Sequence, residues 1–433
     1  MIFSWQAQPE QGQISFFDLL DAERAVQQAA LQAVEASWTP GFVPMILELL
    51  WNAPPGDPEV RRVWSFLERA TGRKAERDVL QWLDWLWKQD YEMHPHYPLF
   101  KAQRYSVVDP RFKRWFYPGM KHSIRLDEIL WGGVRVDGIP PLEYPKFLEA
   151  DQAGYLGDGN IVFGVYLNGE AKAYPKRILA WHELFNDTIG GMKVSCAYCT
   201  LCNAAVLFKQ SVGDRSFEFG TSGFLYRSNK LMYDRTTHSL WSALEGVPVT
   251  GELTGSGLRL ERLPIVTTTW REWKRRHPQT KVLSLQTGHD RNYGEGVAYR
   301  DYFASPELMF PVPELDKRLR PKQEVLALLL DRVPVAFRTE TLRKQPLFHY
   351  EVGKRALVIL TDRSGASRAY RRDGIRFKGW DQDSELIDEQ GRKWSLSEEA
   401  LTGPSGRRLP RLPAHRAFWF GWRAQFPHTR LVK

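Results

Sequence analysis

The sequence predicts an α+β chain in which an N-terminal helical block is followed by two tandem, duplicated β-rich units. Apolar residues at helical spacing are confined to the stretch before about Phe116. Short β-branched and aromatic runs take over after about Ile124. A segment near Gly257 is echoed near Gly406. The expected division is a helical support domain at 1–125, a first β-rich unit at 126–310, and a second, degenerate unit at 311–433. At 433 residues the chain is too long for one ordinary core, and 43% hydrophobic with 26% charged residues is a globular composition.

In the first block, Phe17 to Ser37 is Ala- and Leu-rich, and Phe42 to Trp51 and Val60 to Ala70 are amphipathic. The Pro-Pro-Gly-Asp-Pro between the last two is a strong turn. Ala75 to Lys88 adds a helix with W-L-D-W-L-W on its inner face. Paired helices of this length resemble one or two helical-repeat units. Because the block holds no chemical cluster, its expected role is support or protein-partner docking.

In the first β-rich unit, Asn168-Gly169 between apolar runs is a hairpin signal. Pro175 to Asp187 reads as a short helix, Pro at its start and Gly190-Gly191 beyond its end, with His182 and Asn186 on one face and Glu183 and Asp187 on another. Asn186 stands where a two-histidine zinc protease motif would need its second His.

S-C-A-Y-C-T-L-C-N, Ser195 to Asn203, holds all three cysteines within seven residues. Strand, turn, strand is the expected local structure, with Cys199 and Cys202 on the turn. A Cys-x-x-Cys turn points both sulfurs into one pocket, either as a metal knuckle or as a pair that cycles between dithiol and disulfide. The nearest completing ligands are Cys196 and His182, and the expectation is that Cys199, Cys202 and His182 converge while Cys196 faces away. Soft sulfur donors select Zn, Cu or Fe over Mg or Ca. Phe219 to Trp241 mixes polar and apolar residues, and there Thr221, Ser222, Tyr226 and Asn229 are candidate ligand-binding residues. Glu183 and Asp234 are candidate proton carriers. Against this chemistry stands a noncatalytic reading in which the β units bind a small molecule or a protein and the cysteines are a structural clip.

The repeat separates packing from function. G-L-R-L-E-R-L-P from Gly257 aligns with G-R-R-L-P-R-L-P from Gly406, and the same spacing maps Trp270 onto Trp419, Trp273 onto Trp422, Pro278 onto Pro427 and Thr280 onto Thr429. With small indels, Trp241-Ser242 maps onto Trp394-Ser395 and A-A-V-L-F from Ala204 onto A-L-V-I-L from Ala356. Carried at that last offset, Cys199 and Cys202 fall against Glu351 and Lys354. The tryptophans kept in both copies are assigned to packing, and the thiols present only in the first to function.

Net charge is +9, yet acidic residues interleave with the basic clusters at Arg271 to His277, Arg368 to Lys378 and Arg407 to Arg416, and no nucleic-acid module is recognisable. Specific nucleic-acid binding is therefore not expected. No run has the length of a membrane span, and the first residues lack a basic segment leading into an apolar one, so a cytoplasmic location is expected. Three crowded cysteines do not make a disulfide framework.

Y-C-T-L-C-N-A-A at Tyr198, G-T-S-G-F-L-Y-R-S-N-K-L-M-Y-D-R at Gly220, S-L-W at Ser239 and T-W-R-E-W-K-R-R-H-P-Q-T at Thr269 resemble a large bacterial family known only as a domain of unknown function. W-H-E-L-F-N-D-T-I-G-G at Trp181 and A-F-W-F-G-W at Ala417 fit it too. The family's hallmark is a Tyr-Cys-Pro-Leu-Cys segment, from which this chain departs at Thr200, and His289 stands where an aromatic is common. The resemblance spans about 120 to 433 and implies the domain and the site residues; it implies no reaction.

Overall fold

In a computed structural model, residues 15–433 are described, apart from residue 354. The chain divides into two compact units, one of residues 1–120 with 126–128 and the other of 121–125 with 129–433. The first residues, which bear on the expected absence of a leader, lie outside the described residues.

The described part of the first unit is helical. Its α-helices run Arg24–Ala36, Val43–Leu50, Pro58–Thr71, Val79–Leu86 and Tyr97–Ser106. Local chemistry sets their ends: Pro58 opens the third, left-handed Gly72 closes it, and the Asp78 carboxylate caps the fourth by accepting from Leu80 N–H. The fourth is shorter than the expected Ala75 to Lys88, because the polar stretch before Asp78 stays outside it. Its Trp82, Leu83 and Leu86 are buried. Glu48, in an otherwise apolar helix, is buried with Lys101 as its ion partner and Tyr97 donating to its carboxylate at 2.6 Å. Such a charge pair stays folded only when both members are satisfied.

In the second unit, β structure dominates. Ile161–Leu167 and Glu170–Pro175 form a hairpin through Asn168-Gly169, both at positive φ, the backbone that a two-residue turn between twisted strands requires. The order in that sheet is Val266–Thr269, Ile161–Leu167, Glu170–Pro175, Lys281–Leu283, Phe147–Glu149, with Lys281–Leu283 parallel to Glu170–Pro175 and the remaining pairs antiparallel. A second sheet has the order Ala414–Phe418, Glu324–Leu330, Val333–Arg338, Arg430–Val432, again with only the last pair parallel. Each parallel crossover carries a short helix, Trp270–Arg276 or Trp419–Gln425. Trp273 and Trp422 are fully buried, and each indole N–H donates at 2.8 Å to a threonine hydroxyl, Thr280 or Thr429. Likewise Trp241 donates to Asp234 and Trp394 to Asp388, both at 2.9 Å.

Two expectations need correction. Pro175 to Asp187 is not one helix: Lys176–His182 is helical, Glu183 ends it in the left-handed region, and Leu184–Ile189 is a strand. Gly190-Gly191 turns that strand into Met192–Cys199. Ala356–Leu360, aligned above with Ala204–Phe208, takes a different place in the strand order. It lies in Arg355–Thr361, which forms a hairpin with Leu347–Val352 around Gly353, the place that Met192–Cys199 takes beside Leu184–Ile189. By strand order Cys199 lies against Asp362 rather than Glu351; Lys354 lies outside the described residues.

Candidate functional site

Strand–turn–strand geometry presents the cysteines. Met192–Cys199 and Ala204–Lys209 pair antiparallel, ending at Cys199 opposite Ala204, and the turn carries Thr200 to Asn203. Alternation along the strand puts Cys196 and Tyr198 in the apolar cluster on one face, and Ala197, Cys199 and Cys202 in the cluster on the other. Cys196 is therefore apart from the pair, and burial pushes its thiol pKa up. All three are free thiols.

The turn is tied on several sides. Asn203, left-handed at φ 47°, accepts from Tyr198 OH at 3.1 Å and donates to Glu324 at 3.0 Å. Tyr302 OH donates to Leu201 O at 2.8 Å, and Phe418 N–H to Cys202 O at 2.7 Å. Helix Trp419–Gln425 covers Cys202 through Gly421, where a Cβ would stand 2.6 Å from the sulfur. Cys199 is 2% exposed and Cys202 0%.

A second turn faces the sulfurs. Phe219–Tyr226 and Asn229–Asp234 are joined by Arg227-Ser228, both left-handed, at φ 49° and 60°. Neither is the Gly or Asn that such a turn prefers, so the backbone there is strained. The Ser228 carbonyl oxygen lies 3.4 Å from Cys202 Sγ and 3.9 Å from Cys199 Sγ, and Asn229 Nδ2 donates to Cys202 Sγ at 3.5 Å. Arg227 and Gln425 tie this turn to helix Trp419–Gln425, through Ala424 O and Tyr226 O.

The two sulfurs are unequal. Burial opposes ionisation of Cys199, but hydrogen bonds from the Cys202 thiol and from the Lys230 and Cys202 backbone bring its pKa below the ordinary thiol value. Burial and the charge of Cys199 push Cys202 well above it. Glu183 lies close enough to raise both, and its carboxylate is held by Lys230 Nζ at 3.0 Å and Tyr299 OH at 3.0 Å. Lys230 also donates to Glu183 O at 3.1 Å. Lys230 and Glu183 are buried, and Tyr299 is partly so.

The remaining candidates are placed elsewhere. His182 is buried, one ring nitrogen 2.8 Å from Pro140 O and the other 2.6 Å from Tyr293 OH, which also lies 2.6 Å from Thr287 Oγ1. Burial lowers its pKa to about 4, against the Pro140 hydrogen bond and with help from His289 and Arg291. Since a carbonyl only accepts, the neutral ring donates to Pro140 and accepts from Tyr293. Asp187 holds Lys172 and Tyr174. Asp234 accepts from Thr236 N–H, Thr237 N–H, Thr237 OH and Trp241 N–H, which makes it the anchor of its turn. Thr221 bonds Asp137 and Ile139, and Ser222 bonds Leu231 O and Phe224 N–H, where the strand register shifts. Tyr226 ends the strand before the Arg227-Ser228 turn, so of the four candidate ligand-binding residues Asn229 alone is seen to touch a sulfur.

Among the described residues no three His, Cys, Asp or Glu side chains are placed to hold a metal ion. Two thiols and one carbonyl offer a donor set for a two-coordinate soft cation, short of the four donors of structural zinc. Ser228, Lys230 and Tyr299 had no sequence signal: Arg-Ser is not a turn dipeptide, and Tyr299 comes from a linker far from the cysteines in the chain.

Residues 136–429 match the family described as "Protein of unknown function (DUF3179)", and the chain belongs to it. No curated protein and no solved structure matches it. Among the described residues no helix is long and apolar enough to cross a membrane.

Proposed function

We propose that this member of the DUF3179 family is a thiol-redox protein whose Cys199–Cys202 pair passes two electrons and two protons to a two-electron acceptor and closes as a disulfide. The observation that carries the reading is geometric: two free thiols of one turn share the Ser228 carbonyl, at 3.9 Å from Cys199 Sγ and 3.4 Å from Cys202 Sγ, and Cys202 also accepts from Asn229. Cys199 is the nucleophile and Cys202 the resolving thiol. In the reduced state the Cys202 proton points to the Ser228 carbonyl, and when Cys199 ionises it turns to the thiolate. Glu183 is a positioning residue, held by Lys230 and Tyr299.

The cytoplasm, where thiols stay reduced, suits such a pair. We further read the two β-rich regions as duplicated units, the second having lost the thiols; the shared strand order and the paired Trp–Thr contacts support this.

Ultraviolet thiolate absorbance of the native reduced protein against pH, with Cys199→Ser subtracted, tests the asymmetry without a reagent having to reach the buried site. A single step below the ordinary thiol value of 9.0 is expected. Simultaneous ionisation of both thiols above it, or a stoichiometric soft metal that blocks the titration, would count against the reading.

A further inference from the structure

The proposed redox pair sits in a place that limits its oxidant. Thiol–disulfide exchange needs a disulfide sulfur to approach the attacking sulfur in line, and neither thiol offers that approach, at 2% and 0% exposure. Tyr302, Phe418 and helix Trp419–Gln425 hold the turn from outside.

Two further groups belong to this place. The hydroxyls of Thr200, in the cysteine turn, and of Ser228, in the turn that faces the sulfurs, are buried (0% and 1% exposed) and have no hydrogen-bond partner among the described residues. Buried hydroxyls are nearly always bonded, so two unbonded ones, in the two turns that hold the sulfurs, have bonds to offer a small polar molecule. Neither hydroxyl is needed to close its turn: Asn203 N–H bonds the Thr200 carbonyl, and the sulfurs use the Ser228 carbonyl.

We infer that the oxidant of this pair is a small hydroperoxide, hydrogen peroxide in the simplest case, whose two oxygens are held by the Thr200 and Ser228 hydroxyls beside Cys199. The inference rests on the redox reading above. The Cys199 thiolate attacks one peroxide oxygen, the O–O bond breaks, and the departing hydroxide leaves as water with the proton that Cys199 gave up. Cys199 is then a sulfenic acid. Cys202 sulfur attacks the Cys199 sulfur, the S–O bond breaks, and the second hydroxide leaves as water with the Cys202 proton. In sum, two thiols and one peroxide give one disulfide and two waters. Hydroxyls that donate to the oxygens as the O–O bond lengthens stabilise the charge that develops there.

The test is single-turnover oxidation of the reduced full chain, quenched by acid and read by mass spectrometry, with hydrogen peroxide, with diamide and with a folded protein disulfide. Peroxide is expected to close Cys199–Cys202 faster than it oxidises free cysteine at the same pH, and the protein disulfide to react slowest. Thr200→Val and Ser228→Ala, which remove no protein hydrogen bond, are each expected to slow peroxide by about tenfold, the scale of one hydrogen bond gained in the transition state, with the diamide rate unchanged. If diamide closes the pair but peroxide gains nothing over free cysteine, or if the two variants react as the parent does, the oxidant assignment fails while the redox reading stands. If no oxidant closes the pair, the redox reading itself fails.

Discussion

The turn between Met192–Cys199 and Ala204–Lys209 holds two thiols, while the turn between Arg355–Thr361 and Ser367–Arg371, at the same place in the strand order, holds Asp362. Its Oδ1 accepts from Ser364 N–H at 3.0 Å, Ser364 OH at 2.6 Å and Ala366 N–H at 3.1 Å, and its Oδ2 from Arg368 at 2.8 Å. Arg368 in turn pairs with Glu398 at 2.7 Å, all within the interior. This carboxylate serves its turn; the thiols are held by theirs. Because one turn of this kind closes without sulfur, the strand arrangement does not by itself call for cysteines, and their chemistry is the better reason for them.

That contrast can be broken by substitution. Asp362→Ala should cost about 3–5 kcal/mol in urea unfolding, because it breaks a buried ion pair with Arg368 and leaves the Ser364 and Ala366 N–H groups without their acceptor, whereas Cys199→Ala should cost about 1 kcal/mol, an ordinary small core change. Equal losses would mean that the thiols are structural after all.

Next in size is Gly421→Ala. Its Cβ would stand 2.6 Å from Cys202 Sγ and 2.8 Å from Cys202 Cβ, so helix or turn must shift. About 1–3 kcal/mol of stability should be lost, with a slower closure of the pair in the same variant. Unaltered closure would show that helix Trp419–Gln425 does not position the sulfur.

The tryptophans sharpen the comparison from the other side. Trp273→Phe and Trp422→Phe each remove a 2.8 Å bond to a buried threonine hydroxyl. Matched losses of about 1–3 kcal/mol are expected from the lost indole bond to the threonine oxygen, and strongly unequal ones would weaken the view of two duplicated units.

The smallest effect is on acid stability, and both regions share it. His182 in the first and His415 in the second have pKa values lowered by burial, to about 4 and about 3. Protonation of either therefore favours the unfolded chain, in which the ordinary value is 6.5. Stability is complete above that value and falls as pH drops toward 4, with a slope of up to about 1.4 kcal/mol per pH unit for each group. Urea unfolding between pH 7 and 4 measures it, and His182→Gln should flatten the curve.

Much of this arrangement was legible in residues whose signal is local. Asn168-Gly169 marks a hairpin because its backbone conformation is written in those two residues, and the tryptophan spacing marked the matched crossovers. The cysteine turn was legible for the same reason. Leu184–Ile189 was not, since six residues after a helix read equally as its last turns, and only pairing with Met192–Cys199 makes them a strand. Long-range partners were equally hidden: no spacing relates Lys230 or Tyr299 to Glu183, and nothing local shows that His182 turns to Tyr293.

The central claim is that Cys199 and Cys202 form a redox pair, and the most direct test is stepwise titration of the reduced full chain with diamide, a small oxidant, followed by acid quench, denaturation, differential alkylation and peptide mass spectrometry. The prediction is one two-electron transition in which Cys199 and Cys202 lose alkylation together and reappear as a single cross-linked peptide, while Cys196 stays a free thiol throughout. Two cysteines that remain separately alkylated at the highest excess of diamide would contradict the account.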